Sequence, residues 1–279
     1  VALEKACCTF ARDYEGRLAS LSPAKMLECI ERYQQIDVLG GRIMSYAGLR
    51  YYQNTTDPVR GKAFGDMQAR ITEITTPLVF FTLEINRIEE ATLDALLSES
   101  PDLARYRPVL DRIRAMRPYQ LSDELEKFLH DQSVVGAAAW NRLFDETLAG
   151  LTFPVDGEEL SLEATLNLLS DTDRSRRQAG AEALAAVFAE HLALFARITN
   201  TLAKEKEVED RWRKLPTPQT ARHLSNDVEP EVVAALRDAV VAAYPRLSHR
   251  YYALKAKWLG LDRLQVWDRN APLPREDTR

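Results

Sequence analysis

The sequence predicts an all-α fold: an antiparallel helical bundle with one small β-hairpin near residues 151–162 and a very long helix near 171–210. Three observations carry this. Leu184, Phe188, His191, Phe195, Ile198 and Leu202 recur at alternating steps of four and three, so they share one helix face. Met67, Ile71, Ile74, Leu78, Phe81, Ile85 and Ile88 repeat the pattern upstream. One stretch, LTFPVDGEELSL, sets Asp156-Gly157 between two short apolar-polar runs, the signature of a two-residue hairpin turn. At roughly 1.5 Å per residue, a helix of about 40 residues is a rod of about 60 Å. Such a rod cannot hide its apolar stripe alone, so the flanking segments are expected to pack along it.

Taken in order, Leu3–Ala19 reads as a helix. Ser22-Pro23 is a cap followed by proline at the first helical position. The helix it starts carries Met26, Ile30, Tyr33 and Ile36 on one side, and Gly40-Gly41 is expected to bend or break it before Ile43–Tyr52. Asp57-Pro58 restarts the pattern. Pro77 lies inside the second apolar stripe, where it removes a hydrogen bond, so a bend is expected near Thr76. Pro101, Pro108 and Pro118 punctuate short helices, and Ser122 can cap Asp123–Asp131 before a further helix from Val134 to about Leu148. Ser170 or Asp171 is the expected cap of the long helix. Arg211–Asp227 has no clear period, with Pro216 and Pro218 stiffening it as an extended piece. Pro230 opens a helix with Val233, Leu236 and Val240 inward. Another spans Arg246–Leu259, closed by Gly260. LDRLQVWDRNAPLP then leaves as an extended strand or loop. The hairpin marks the expected boundary between an N-terminal helical domain, 1–150, and a second domain, 151–279.

The chain has 279 residues, 46% apolar and 28% charged, enough for a sizeable core. Its net charge of −5 offers nucleic acid no general attraction, and no run approaches the roughly 20 apolar residues of a membrane span. Cys7, Cys8 and Cys29 make no disulfide framework, which argues for a reducing, cytoplasmic setting. The chain begins without Met in helical phase and stops in a proline-containing tail, so both ends are read as cut from a longer chain.

No catalytic signature emerges. His130, His191, His223 and His249 form no i, i+4 pair for zinc, and there is no CxxC, GxSxG, GxxxxGK[ST] or GxGxxG. His191 reads as a hydrogen-bonded core histidine, His130 and His249 as helix-surface residues, and the cysteines as small packing residues. Arg174, Arg176 and Arg177 open the long helix, either as an anion site or as a solvated face paired with Asp171, Asp173 and nearby acids. Pairing is the preferred reading. Arg211-Trp212-Arg213-Lys214 could grip a chain or a carboxylate, or could simply anchor the helix end. Arg222-His223 follows in an irregular segment, where function concentrates.

Three stretches together carry a resemblance: LLSDTDRSRRQAGAEAL, RWRKLPTPQTARHLSNDVEPEVVAAL and RYYALKAKWLGLDRLQVWDRNAPLP. In their order and spacing they resemble the oligoendopeptidase F family, zinc metallopeptidases related to thimet oligopeptidase. AWNRLFDETLAGLTFPVDGEELSL extends the likeness upstream. The resemblance implies a mostly helical shell around a channel that admits short unfolded peptides. It also implies zinc held by an HExxH helix and a later glutamate, downstream of this sequence. No catalytic or metal-binding position carries over. The expectation is therefore a substrate-channel-forming N-terminal part, inactive alone and with no zinc bound to this segment. Its expected partners are short peptides and the missing C-terminal catalytic part, not nucleic acid or membrane. Arg222 and His223 are the candidate substrate-binding residues, donors to a peptide carbonyl or C-terminus. The rival reading is a non-catalytic helical scaffold or partner-binding module.

Overall fold

The computed structural model describes residues 1–274. The chain opens with α1 (Ala2–Tyr14), which buries Leu3, Cys7, Phe10 and Tyr14 on one side. It ends before the expected Ala19, and a 3₁₀ turn covers Leu18–Ser20. Pro23, whose missing N–H is no loss in a first turn, starts α2 (Pro23–Tyr52). Gly40-Gly41 does not break α2, which runs through both glycines as one helix. Each glycine costs about 1 kcal/mol against alanine, but α2 is held along its length by α1 and the next helix. The Leu3 side chain lies 3.8 Å from where a Gly40 Cβ would sit.

Asp57 caps α3 (Pro58–Thr75), accepting from the Val59 and Arg60 amides at 2.8 and 3.3 Å. Pro77 bends the chain where expected, with a 3₁₀ turn at Thr76–Leu78 before α4 (Phe80–Arg87). The hydroxyls of Thr75 and Thr76 donate to the Ile71 and Thr72 carbonyls at 2.8 and 2.9 Å, satisfying acceptors near the interruption. Short helices follow: α5 (Glu90–Glu99), α6 (Pro101–Ala104) and α7 (Arg107–Arg114). Then come α8 (Asp123–Gln132), capped by Ser122, and α9 (Ala137–Gly150).

The hairpin falls where the sequence places it. β1 (Phe153–Val155) pairs antiparallel with β2 (Glu158–Leu160), with Phe153 opposite Leu160. Asp156 and Gly157 turn the corner at φ +53° and +87°, the left-handed pair that a tight hairpin demands. Next are α10 (Leu162–Leu168) and α11 (Arg174–Glu190). Asp173 caps α11, not Ser170 or Asp171. Its carboxylate accepts from the Ser175 amide at 2.9 Å, while Asp171 accepts from the Asp173 amide.

The expected single helix over 171–210 is two helices. α11 stops at Glu190, and α12 (Leu192–Arg213) departs at 68°. Neither proline nor glycine is involved. The His191 ring Nδ1 bonds the Val187 carbonyl at 3.0 Å, the acceptor that a continuing helix would reserve for the His191 amide. No single helix among the described residues is long and apolar enough to cross a membrane, and this bent pair meets length and composition together only when joined.

The remaining helices are α13 (Thr220–Ser225), α14 (Pro230–Ala243) and α15 (Arg250–Trp258), with a π turn at Pro245–His249 between the last two. Gly260 closes α15 at φ +67° as expected. Val233, Leu236 and Val240, expected inward, are 38%, 65% and 43% exposed.

Residues 1–142 and 202–228 form one compact unit, and 143–201 with 229–279 form a second. The first is cored by Phe10, whose ring lies 4.9, 5.8 and 5.9 Å from Tyr14, Phe80 and Phe81. Cys7, Leu18, Met26, Cys29, Ile85, Ile88, Leu93 and Leu103 surround it. The second has a smaller core of Phe153, Val155, Ala183, Leu184 and Val187.

Candidate functional site

α12 ends at a fixed anchor. The Arg213 guanidinium donates two bonds to the Glu126 carboxylate, at 2.7 and 2.9 Å, and a third to Glu209 at 2.7 Å. Both ends of the Glu126 pair are largely sheltered from solvent. Burial alone would raise the Glu126 carboxyl, but the Arg213 hydrogen bonds outweigh it and hold the pKa below the usual value. Lys214 then takes a left-handed φ of +57°, which turns the chain off the helix. Of the expected gripping cluster, Arg213 is the structural anchor and Trp212 is exposed.

The segment that follows is not extended throughout. Thr220–Ser225 coils into α13, opened by the Thr217 and Thr220 hydroxyls bonding each other at 2.9 Å. Six residues give too little periodicity to read. Arg222 is exposed and makes no side-chain hydrogen bond or ion pair among the described residues. His223 is half-buried, and its Nδ1 is buried with no hydrogen-bond partner. The two are consecutive, so they leave the helix about 100° apart and do not share a face. Chemically they offer a free guanidinium suited to a carboxylate and an imidazole with one unsatisfied nitrogen.

A second polar cluster is centred on an acid that the sequence did not single out, Asp268. Asp268 is 0% exposed. It accepts from Arg174 at 3.0 Å on each oxygen, from Arg177 at 3.1 Å and from the Gln265 amide at 2.9 Å. Burial pushes its carboxyl upward, yet the bonds from Arg174, the Gln265 amide and Arg177 hold the pKa down to about 2. Arg177 also donates to the carbonyls of Trp267, Asp171 and Thr172. The arginines at the head of α11 are thus paired, as preferred, but Arg177 is buried where a solvated face was expected. The helix start is spoken for by Asp268, an acid some ninety positions on.

The residues present do not fit the zinc that the resemblance implies. His130 bonds around Thr72 and Thr75, His191 sits at the α11–α12 break, His223 is on α13 and His249 closes the π turn. No three His, Cys, Asp or Glu among the described residues are grouped to hold a metal ion.

Comparison with known proteins gives these residues a setting. Residues 84–153 match the family model described as Oligopeptidase F. The chain is 26% identical over 273 residues to Group B oligopeptidase PepB of Streptococcus agalactiae serotype III (strain NEM316), covering 96% of this chain and 45% of that protein. It is 26% identical over 270 residues to Oligopeptidase PepF of Bacillus subtilis (strain 168), covering 94% and 40%. Its fold superposes on the crystal structure of oligoendopeptidase-F from Enterococcus faecium with a TM-score of 0.84 at 24% identity, over 97% of this chain and 54% of that one. The chain spans somewhat less than half the length of these curated relatives. The chain is thus similar to the oligopeptidase F family over residues 84–153 and to curated oligopeptidases along nearly its whole length, and it shares the fold of a solved oligoendopeptidase-F.

Proposed function

We propose that this chain is the substrate-enclosing, N-terminal part of a zinc-dependent oligoendopeptidase that hydrolyses short unfolded peptides. The zinc site and catalytic groups belong to polypeptide that these residues do not span. The reading rests chiefly on the match to PepB, which takes in 96% of this chain but only 45% of that protein. Residues 1–150 act as the helical enclosing domain, and 151–279 as the opening part of the catalytic domain. When bound, zinc would polarise the scissile carbonyl and lower the pKa of its water. This chain's residues bind and orient the peptide.

In that role the free guanidinium of Arg222 donates to a peptide C-terminus or carbonyl, and the half-buried His223 imidazole is the second donor of the pair. Replacing both with alanine in the full-length protein is expected to raise KM for short peptides about tenfold. That is the loss of a partly solvated charge-assisted hydrogen bond of roughly 1.5 kcal/mol. kcat should stay within about twofold, because neither group touches the reacting atoms. Unchanged KM would remove both residues from the peptide path. A quenched-fluorescence peptide assay tests the larger claim. The full-length protein should cleave, residues 1–279 alone should not, and cleavage by the short chain would overturn the assignment.

A further inference from the structure

α14 is a helix without a core. Every large apolar residue on it, Val232, Val233, Leu236, Val240 and Val241, is exposed, and none of its residues is buried. The bare surface continues through Tyr244 and Leu247 to Tyr251, Tyr252 and Trp258. At 100° per residue the large side chains of α14 sweep about half the helix circumference. Alanines fill most of the rest, leaving Glu231, Arg237 and Asp238 as its polar positions after Pro230. An isolated 14-residue helix is marginal in water, and one that is apolar nearly all round belongs inside a protein. The surface also has relief. Tyr252, Ala253 and Ala256 of α15 face Leu264, Gln265 and Val266 across a groove of about 440 Å³.

We propose that α14, the Pro245–His249 turn and α15 form a docking surface for the polypeptide by which the oligopeptidase relatives exceed this chain. The proposal rests on the functional reading above. Two observations choose this occupant over a second copy. Relatives that match nearly the whole chain are more than twice its matched length, so each has polypeptide to spare for the task. A two-fold dimer covers one stripe of a helix, whereas α14 offers apolar surface on several sides and calls for an enclosing layer. The sequence placed the stripe needing cover on the 171–210 segment, but there Leu184 and Ile198 are already buried. The uncovered surface lies downstream.

Hydrogen exchange, with mass measured for 1–279 and for the natural full-length polypeptide, tests this without reference to catalysis. Amides of 231–243 should exchange about 100-fold more slowly in the longer protein, the difference between an open and an enclosed helix. The short chain should bind a hydrophobic dye that the long one does not. Leu236→Asp should remove the protection in the long protein, and Leu236→Met should keep it, which separates docking from a general folding defect. The proposal is overturned by equal exchange in both proteins, by a natural reading frame that ends at residue 279, or by Leu236-dependent dimers of the long protein. Protection without peptide hydrolysis would sink the functional reading alone, and hydrolysis without protection would sink only the docking surface.

Discussion

Asp268 is the side chain on which the second unit depends most sharply. Its carboxylate is buried, and it is the sole carboxylate bonded to Arg177, itself buried, among the described residues. Asp268→Asn should destabilise that unit by about 3 kcal/mol, because removing one member of a buried pair strands the other charge. Denaturant unfolding checks the value, and a loss below about 1 kcal/mol would show that water reaches Arg177. The pH dependence has a definite sign. The folded carboxyl sits at about 2, below the roughly 3.9 of an unfolded aspartate, so the unfolded chain takes up the proton first. The stabilisation is complete above about pH 5 and drains away as pH falls towards 2. Asp268→Asn should flatten that acid limb. The cysteines divide as plainly. Burial pushes Cys7 up to about 11 and Cys29 up to about 12, whereas Cys8 is exposed. A thiol reagent at pH 8 should modify one cysteine quickly and the other two only on unfolding. Three fast thiols would mean that the α1–α2 core opens readily.

Glycines separate elements that local rules govern from those that packing governs. Gly41 lies in the middle of α2 with nothing within 4 Å of an added Cβ, so Gly41→Ala should stabilise by about 0.5–1 kcal/mol. Gly180 lies in α11, where a Cβ would meet Leu168 Cβ at 3.0 Å and the Thr165 carbonyl at 3.3 Å. Gly180→Ala should therefore destabilise by about 1–3 kcal/mol despite the better helix propensity. Thermal melts of the two variants should move in opposite directions. The same distinction explains what could be read in advance. Pro77, the Asp156-Gly157 turn, the Asp57 and Ser122 caps and Gly260 act within a few residues, and each is legible. The break at His191 comes from one imidazole taking the Val187 carbonyl, which no spacing reveals. The uninterrupted α2 reflects neighbours that outweigh two glycines. At the candidate site, Arg222 and His223 stood out by composition, while the six-residue helix under them was too short to show a period. Asp268 was invisible because its partners lie more than ninety positions away.

At the scale of the whole chain the contrast lies between two cores. Among the described residues, twenty buried apolar residues make one cluster in the first unit, against five in the second. At roughly 1.5–3 kcal/mol for each large apolar side chain withdrawn from water, the first unit has by far the greater reserve against local opening. In native-state hydrogen exchange on residues 1–279, amides of α1 and α4 should be the slowest, those of α11 faster, and those of α14 the fastest helical set. The ranking also discriminates between ideas. If the small second core were all that the element needs, α11 and α14 would keep the same rates in the full-length protein. If the exposed Val and Leu side chains of α14 are an unfinished interior, both helices should slow in the longer protein while α1 and α4 stay unchanged. That outcome would locate the missing stabilisation in the second unit, and slowing spread evenly over both units would instead point to a general effect of chain length.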